Sequence, residues 1–173
     1  ETGLAAFEAG RLKHCGAAPL GGENVTRDVA RVLGASIEDA ERLKILHGTA
    51  ISDVSDADLL KARALGGDGF VDADPGALRA VIAPRVEETF VRLRDLARSA
   101  GVDSRLVRHV VLTGGASGLA GARELAERVF GCPARLGRPL KTDGAPASAS
   151  GPSFAVAFGL IEAAMRAPDD PGG

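Results

Sequence analysis

Two glycine corners and one charged pair are the residues of this chain whose types and spacing suit chemistry. The run His109-Val110-Val111-Leu112-Thr113-Gly114-Gly115-Ala116-Ser117-Gly118 sets β-branched residues ahead of paired glycines, the pattern of a buried central strand that stops and turns into a helix. Gly114 and Gly115 carry no Cβ, so the backbone there can pass close to a planar or anionic ligand. The first amides of the following helix, expected over residues 119–130, would face that ligand. Pro19-Leu20-Gly21-Gly22-Glu23-Asn24 is a second glycine loop ahead of a helix. Glu41 and Lys44, three apart on a third predicted helix, project from one side at the rim of its apolar stripe. A carboxylate there can accept from ribose hydroxyls, while the lysine stem covers an adenine face and its ammonium donates. Each feature also has a plainer reading: a tight turn between packed elements, or an intrahelical ion pair worth about 0.2–0.5 kcal/mol. Their coincidence is what points to a nucleotide. The chain contains no GxxxxGK[ST], so a bound nucleotide is not held by a P-loop.

The elements that must position these groups follow from periodicity. Residues 4–15 read as a hairpin with a glycine-containing turn at Gly10. Residues 26–33 read as a helix burying Val29, Val32 and Leu33, ended by Gly34. Ser36, with an acidic residue three positions on, reads as the N-cap of a helix to His47 with an apolar stripe of Ile37, Ala40, Leu43 and Leu46. Between residues 51 and 75 the composition shifts to Asp, Gly and Ala, which predicts a small, marginally packed insertion. Residues 78–82 form one helical piece, and Pro84 is expected to restart a helix that runs to Ser99 with Val86, Phe90, Leu93 and Leu96 facing the core. Ala134-Arg135-Leu136 is a short strand and residues 143–152 a loop. The apolar positions of residues 154–165 run almost all the way round, so a covered core helix is expected there, ahead of a polar tail.

Bulk properties narrow the classes. Against 23 acidic residues stand 21 basic ones, a formal charge of −2 with no long run of either sign, so no footprint for nucleic acid or an anionic membrane is present. Two separated cysteines, Cys15 and Cys132, argue against a disulfide framework and fit a reducing, cytoplasmic compartment. His14, His47 and His109 lack ligand spacing with each other or with the cysteines, so no metal site made of protein ligands alone is expected. The most apolar stretch is shorter than the roughly 20 residues a bilayer span needs.

In order and spacing the pieces resemble the second half of the actin-like ATPases, and within them the FtsA family. The likeness lies in residues 19–30, in Asp39-Ala40-Glu41-Arg42-Leu43-Lys44 with His47-Gly48, in Val81-Ile82-Ala83-Pro84-Arg85, in Val111-Leu112-Thr113-Gly114-Gly115-Ala116 and in residues 151–160. The resemblance implies an α/β, ribonuclease H-like domain: a mixed sheet flanked by helices over residues 1–50 and 76–167, the core of a small inserted subdomain at 51–75, and a disordered tail at 168–173. It implies ATP as cofactor, with magnesium in the full-length protein. Gly21 and Gly22 would approach sugar and phosphates, Glu41 and Lys44 ribose and adenine, and Gly114, Gly115, Ala116 and Ser117 the adenine and α-phosphate side. Thr2 and Gly3 resemble the tail of the second phosphate loop. As partners it implies the FtsZ C-terminal tail, docking near Arg85, a second copy in a head-to-tail protofilament, and the inner membrane through a C-terminal amphipathic helix outside this sequence. The family's Asp-x-Gly-x-Gly, first phosphate loop and magnesium ligands are also outside it, so this half of a clamp is expected to bind ATP feebly and hydrolyse nothing by itself. A sugar or small-molecule kinase of the same superfamily, or the pilus-assembly relative of FtsA, would carry a similar glycine turn.

Overall fold

The computed structural model describes residues 1–51, 58–139 and 146–166. Residues 52–57, 140–145 and 167–173, and with them the expected disorder of 168–173, lie outside the described residues. Strands β1 (Thr2–Glu8) and β2 (Arg11–Ala18) form the expected hairpin, antiparallel with Leu4 opposite Gly16 and a register shift between Ala6 and Phe7. Helix α1 (Gly22–Leu33) starts four residues earlier than the apolar pattern predicts and ends on Gly34. Helix α2 (Ile37–His47) is capped as expected, the Ser36 hydroxyl accepting from the Asp39 amide at 3.2 Å. Strands β3 (Leu60–Arg63) and β4 (Phe70–Ala73) pair antiparallel and lead into α3 (Pro75–Ser99), where Asp74 caps the first amides. Then come β5 (Val110–Leu112), a 3-10 turn at Gly115–Gly118, α4 (Ala122–Phe130), β6 (Ala134–Leu136) parallel to β5, and α5 (Ala155–Arg166). The strands of this α/β chain occur as three two-stranded sheets among the described residues.

Two hydrophobic cores are strung along α3. Leu78 and Ile82 pack with Val25, Val29 and Ala30 of α1, Ala40 and Leu43 of α2, and Ala62 and Ala73 of the β3–β4 hairpin. One helical stretch later, Phe90 and Leu93 pack with Ala18 of β2, Leu125 and Ala126 of α4, and Ala134 of β6. Val86 and Leu119 touch both cores and join them. Asp39, at the start of α2, ties the first core's polar edge together: its carboxylate accepts from the Arg63 amide of β3 and from Arg42 Nε at 3.1 Å. The Arg63 amide, followed by the nearby arginine charges, holds the Asp39 carboxyl below the usual carboxylate range.

Four expectations need correction. Helix α3 does not restart at Pro84 but runs unbroken through it; Pro84 and Ala80 are both exposed, so the carbonyl that loses its N–H partner can take one from water. Val32, Ile37 and Leu46 are exposed, because only the arc of α1 and α2 that faces α3 is covered, and Val25, Val29, Ala40 and Leu43 occupy it. Helix α4 starts at Ala122, not residue 119, because the glycine corner first makes a 3-10 turn and Gly121 sits at a φ of 74°. Finally, α5 has no buried residue, and Val156 and Leu160 are each 67% exposed; β5 is likewise only half covered, with Val111 exposed. Apolar composition sets a demand for cover, and no described element supplies it at α5.

Candidate functional site

The Gly21–Gly22 loop joins β2 to α1 and is held at both ends. The Thr2 hydroxyl donates to the Leu20 carbonyl at 2.7 Å, and the Asn24 side chain accepts from the Gly21 amide at 3.0 Å. Gly21 passes so close to the first residue that a Cβ there would stand 2.9 Å from the Glu1 carbonyl oxygen. Gly3, next to Thr2 in β1, pairs with Ala17 across the hairpin. Gly22 opens α1 beside the other two motifs: a Cβ on it would lie 3.4 Å from the Ala116 methyl and 3.5 Å from Lys44 Nζ. The three sequence features therefore meet at Gly22, from the start of α1, the middle of α2 and the turn after β5.

Within this junction Lys44 Nζ donates to the Gly22 carbonyl at 3.2 Å, to the Thr26 hydroxyl at 2.9 Å and to Glu41 Oε2 at 2.6 Å. The lysine side chain is 12% exposed and the glutamate 45%, so the ammonium is enclosed while the carboxylate reaches the surface. Burial pushes the Glu41 carboxyl up, but hydrogen bonds from Lys44 and Thr26 together with the lysine charge outweigh it and hold the group below its ordinary range. Opposite, Gly114 adopts a φ of 89° and a ψ of 170°, a region essentially confined to glycine. Its amide donates to the Pro152 carbonyl at 2.9 Å, and Ser117 Oγ donates to the Gly114 carbonyl at 2.7 Å. Gly115 faces open space. The corner is thus a fixed wall with an unobstructed backbone surface.

Arg85 stands elsewhere, on α3 against the other flank of α1. Its Nε donates to Asp28 Oδ2 and its Nη1 to Glu88 Oε2, each at 2.6 Å, while Arg31 holds the second Asp28 oxygen at 2.8 Å. The Asp28 hydrogen bond, opposed by burial and helped by the charges of Asp28 and Glu88, raises the arginine's pKa further. A groove of about 300 Å³ runs along Asn24, Arg27, Asp28, Arg31 and Arg85. Sequence reasoning took Arg85 as a single residue and missed this ion network. It also missed Thr26, whose signal was a hydroxyl residue four positions after Gly22, flanked by the buried valines of α1. Among the described residues no three His, Cys, Asp or Glu side chains converge to hold a metal, and no described helix is long and apolar enough to cross a membrane.

Comparison with known proteins agrees with the architecture and narrows the ancestry. Among solved structures, MreB 5 of Spiroplasma citri bound to AMPPNP superposes on 95% of this chain and 50% of its own, with a TM-score of 0.62 at 14% identity, which shows an actin-like fold. Among curated proteins, the cell division protein FtsA of Rhizobium meliloti is 41% identical over 167 residues, covering 92% of this chain and 37% of its own length. That of Escherichia coli K12 is 32% identical over 166 residues, covering 91% and 40%. The chain thus spans about two fifths of the length of these relatives. The family model for cell division protein FtsA matches residues 1–159, nearly the whole chain, and by that match the chain belongs to the FtsA family.

Proposed function

We propose that this chain is the second-domain part of an ATP-binding, actin-like division adaptor at the cytoplasmic face of the inner membrane, which polymerises and links FtsZ filaments to that membrane. The observation that carries the nucleotide reading is the meeting of Gly22, Lys44 and Ala116, which brings the three separate sequence features to one place. The open Gly114–Ser117 corner fits the adenine and α-phosphate side, and Gly21 and Gly22 fit the sugar and phosphates, with Thr2 and Gly3 at the edge of the phosphates. Glu41 offers the ribose an acceptor, and Lys44, enclosed behind it, holds that carboxylate in place beside the base and ribose. When bound, ATP brings the negative charge and the magnesium; this chain's residues orient the nucleoside and, among the described residues, contribute no group placed to activate water, so turnover by this part is not expected.

In the intact protein, ATP titrated against wild type and Glu41→Gln is expected to bind the wild type more tightly. In this chain alone, no saturable binding is expected in the micromolar range. Tight binding by the isolated chain, or equal binding by Glu41→Gln, overturns the reading. For the partner, the groove beside Arg85, in which Arg27, Arg31 and Arg85 outnumber the single carboxylate of Asp28, fits an acidic peptide such as the FtsZ tail. Retention of an FtsZ C-terminal peptide by the wild type and its loss in Arg85→Glu would support this assignment; equal retention refutes it.

A further inference from the structure

We propose that Thr26 is a positioning residue for ribose recognition: together with the Lys44 ammonium it locks one oxygen of Glu41 and leaves the other free to accept from a ribose hydroxyl. The proposal rests on the nucleotide reading above. Thr26 is 2% exposed on the buried face of α1, where a hydroxyl without a partner is costly. Its oxygen lies 3.0 Å from the Gly22 carbonyl, 2.9 Å from Lys44 Nζ and within hydrogen-bond reach of Glu41 Oε2.

A hydroxyl has one proton to give. The Gly22 carbonyl is already served by Lys44 at 3.2 Å, and a carboxylate is the stronger acceptor, so the Thr26 proton goes to Glu41 Oε2. The Thr26 oxygen in turn accepts from Lys44. All three N–H groups of Lys44 are then used, on Gly22, Thr26 and Glu41. The ammonium is therefore a clamp inside the protein and has no donor left for a phosphate. Glu41 Oε2 takes both bonds, Oε1 takes none among the described residues, and the side chain is 45% exposed. Two bonds on one oxygen stop rotation of the carboxylate and fix the direction of the free one.

The test compares ATP with 2′,3′-dideoxyATP, which lacks both ribose hydroxyls, in the intact protein and in its Thr26→Val and Thr26→Ser variants. Wild type is expected to prefer ATP. Thr26→Val, equal in shape but without the hydroxyl, is expected to lose about tenfold in ATP affinity while dideoxyATP affinity changes less than about twofold. Thr26→Ser is expected to fold and to keep the wild-type preference. Equal losses for both nucleotides in Thr26→Val, an unchanged preference in it, or a lost preference in folded Thr26→Ser overturns the role of Thr26. Should Thr26→Val fail to fold, Thr26→Ala, which also lacks the hydroxyl, takes its place with the same expected and refuting results. A wild type that binds both nucleotides equally overturns Glu41 as the ribose acceptor, and one that binds neither overturns the nucleotide reading itself.

Discussion

Replacing Lys44 with methionine separates the ammonium from the stem that carries it. Methionine keeps an apolar, unbranched side chain and removes three donors, which in the protein meet Gly22 O at 3.2 Å, Thr26 Oγ1 at 2.9 Å and Glu41 Oε2 at 2.6 Å. Breaking a fully buried ion pair costs about 3–5 kcal/mol, because the abandoned charge stays out of water. Here two effects reduce that figure. The Glu41 side chain is 45% exposed and recovers hydration, and the Thr26 hydroxyl, 3.0 Å from the Gly22 carbonyl, can turn its proton back to it. What is lost outright is one charge-assisted hydrogen bond, about 1.5–3 kcal/mol when dry, which screening at the surface lowers to about 1–2 kcal/mol. Urea unfolding at pH 7 should show a lower midpoint with an unchanged slope. The deficit should also depend on pH. Glu41's pKa is depressed in the folded state, so the stability it contributes is complete above its unfolded value and fades as pH falls through the folded one. Once Glu41 is protonated the wild type has no ion pair to lose, and the gap between the two proteins narrows. A loss below about 0.3 or above about 4 kcal/mol, or a gap that stays constant through acid, would refute this account of the junction.

Two further perturbations probe the scaffold. Gly114→Ala should destabilise by about 1–3 kcal/mol, since alanine resists the backbone region Gly114 occupies, while Gly115→Ala, facing open space, should be nearly neutral; equal effects in thermal melts would refute the strained corner. Leu78→Ala should cost about 2–5 kcal/mol through the cavity left in the first core, whereas Val156→Ser on exposed α5 should cost less than about 0.5 kcal/mol; a large loss from Val156→Ser would show that α5 packs on something in the unfolding unit.

What could be read from the residues was local, or repeated at a fixed period. The hairpin, the Ser36 cap and the order of helices followed from turn chemistry and capping, which act within a few residues. Which face of a helix is covered is different, because that depends on where neighbours stand. Ile37 and Leu46 continue the α2 stripe perfectly well on paper, yet only Ala40 and Leu43 lie where α1 and α3 meet α2. Pro84 shows the same limit from the other side: the rule that proline ends a helix assumes that the abandoned carbonyl has no substitute, and on an exposed face water is the substitute.

The candidate site was legible to the extent that glycine marks a close approach whatever the approaching group is. Gly21 announced that something passes near, and the structure puts Glu1 there; Gly22 lies at ordinary contact distance from Ala116 and Lys44. Sequence could not say that Lys44 turns inward. Read as a bare pair, Glu41 and Lys44 look like two charges offered to solvent or ligand, and either one could be the contact. Thr26 breaks that symmetry: with the Gly22 carbonyl it supplies the acceptors that enclose the ammonium, and so leaves the carboxylate as the member of the pair that faces outward. A buried hydroxyl one turn after a helix-opening glycine is thus the detail that turns an ordinary intrahelical ion pair into a directed acceptor.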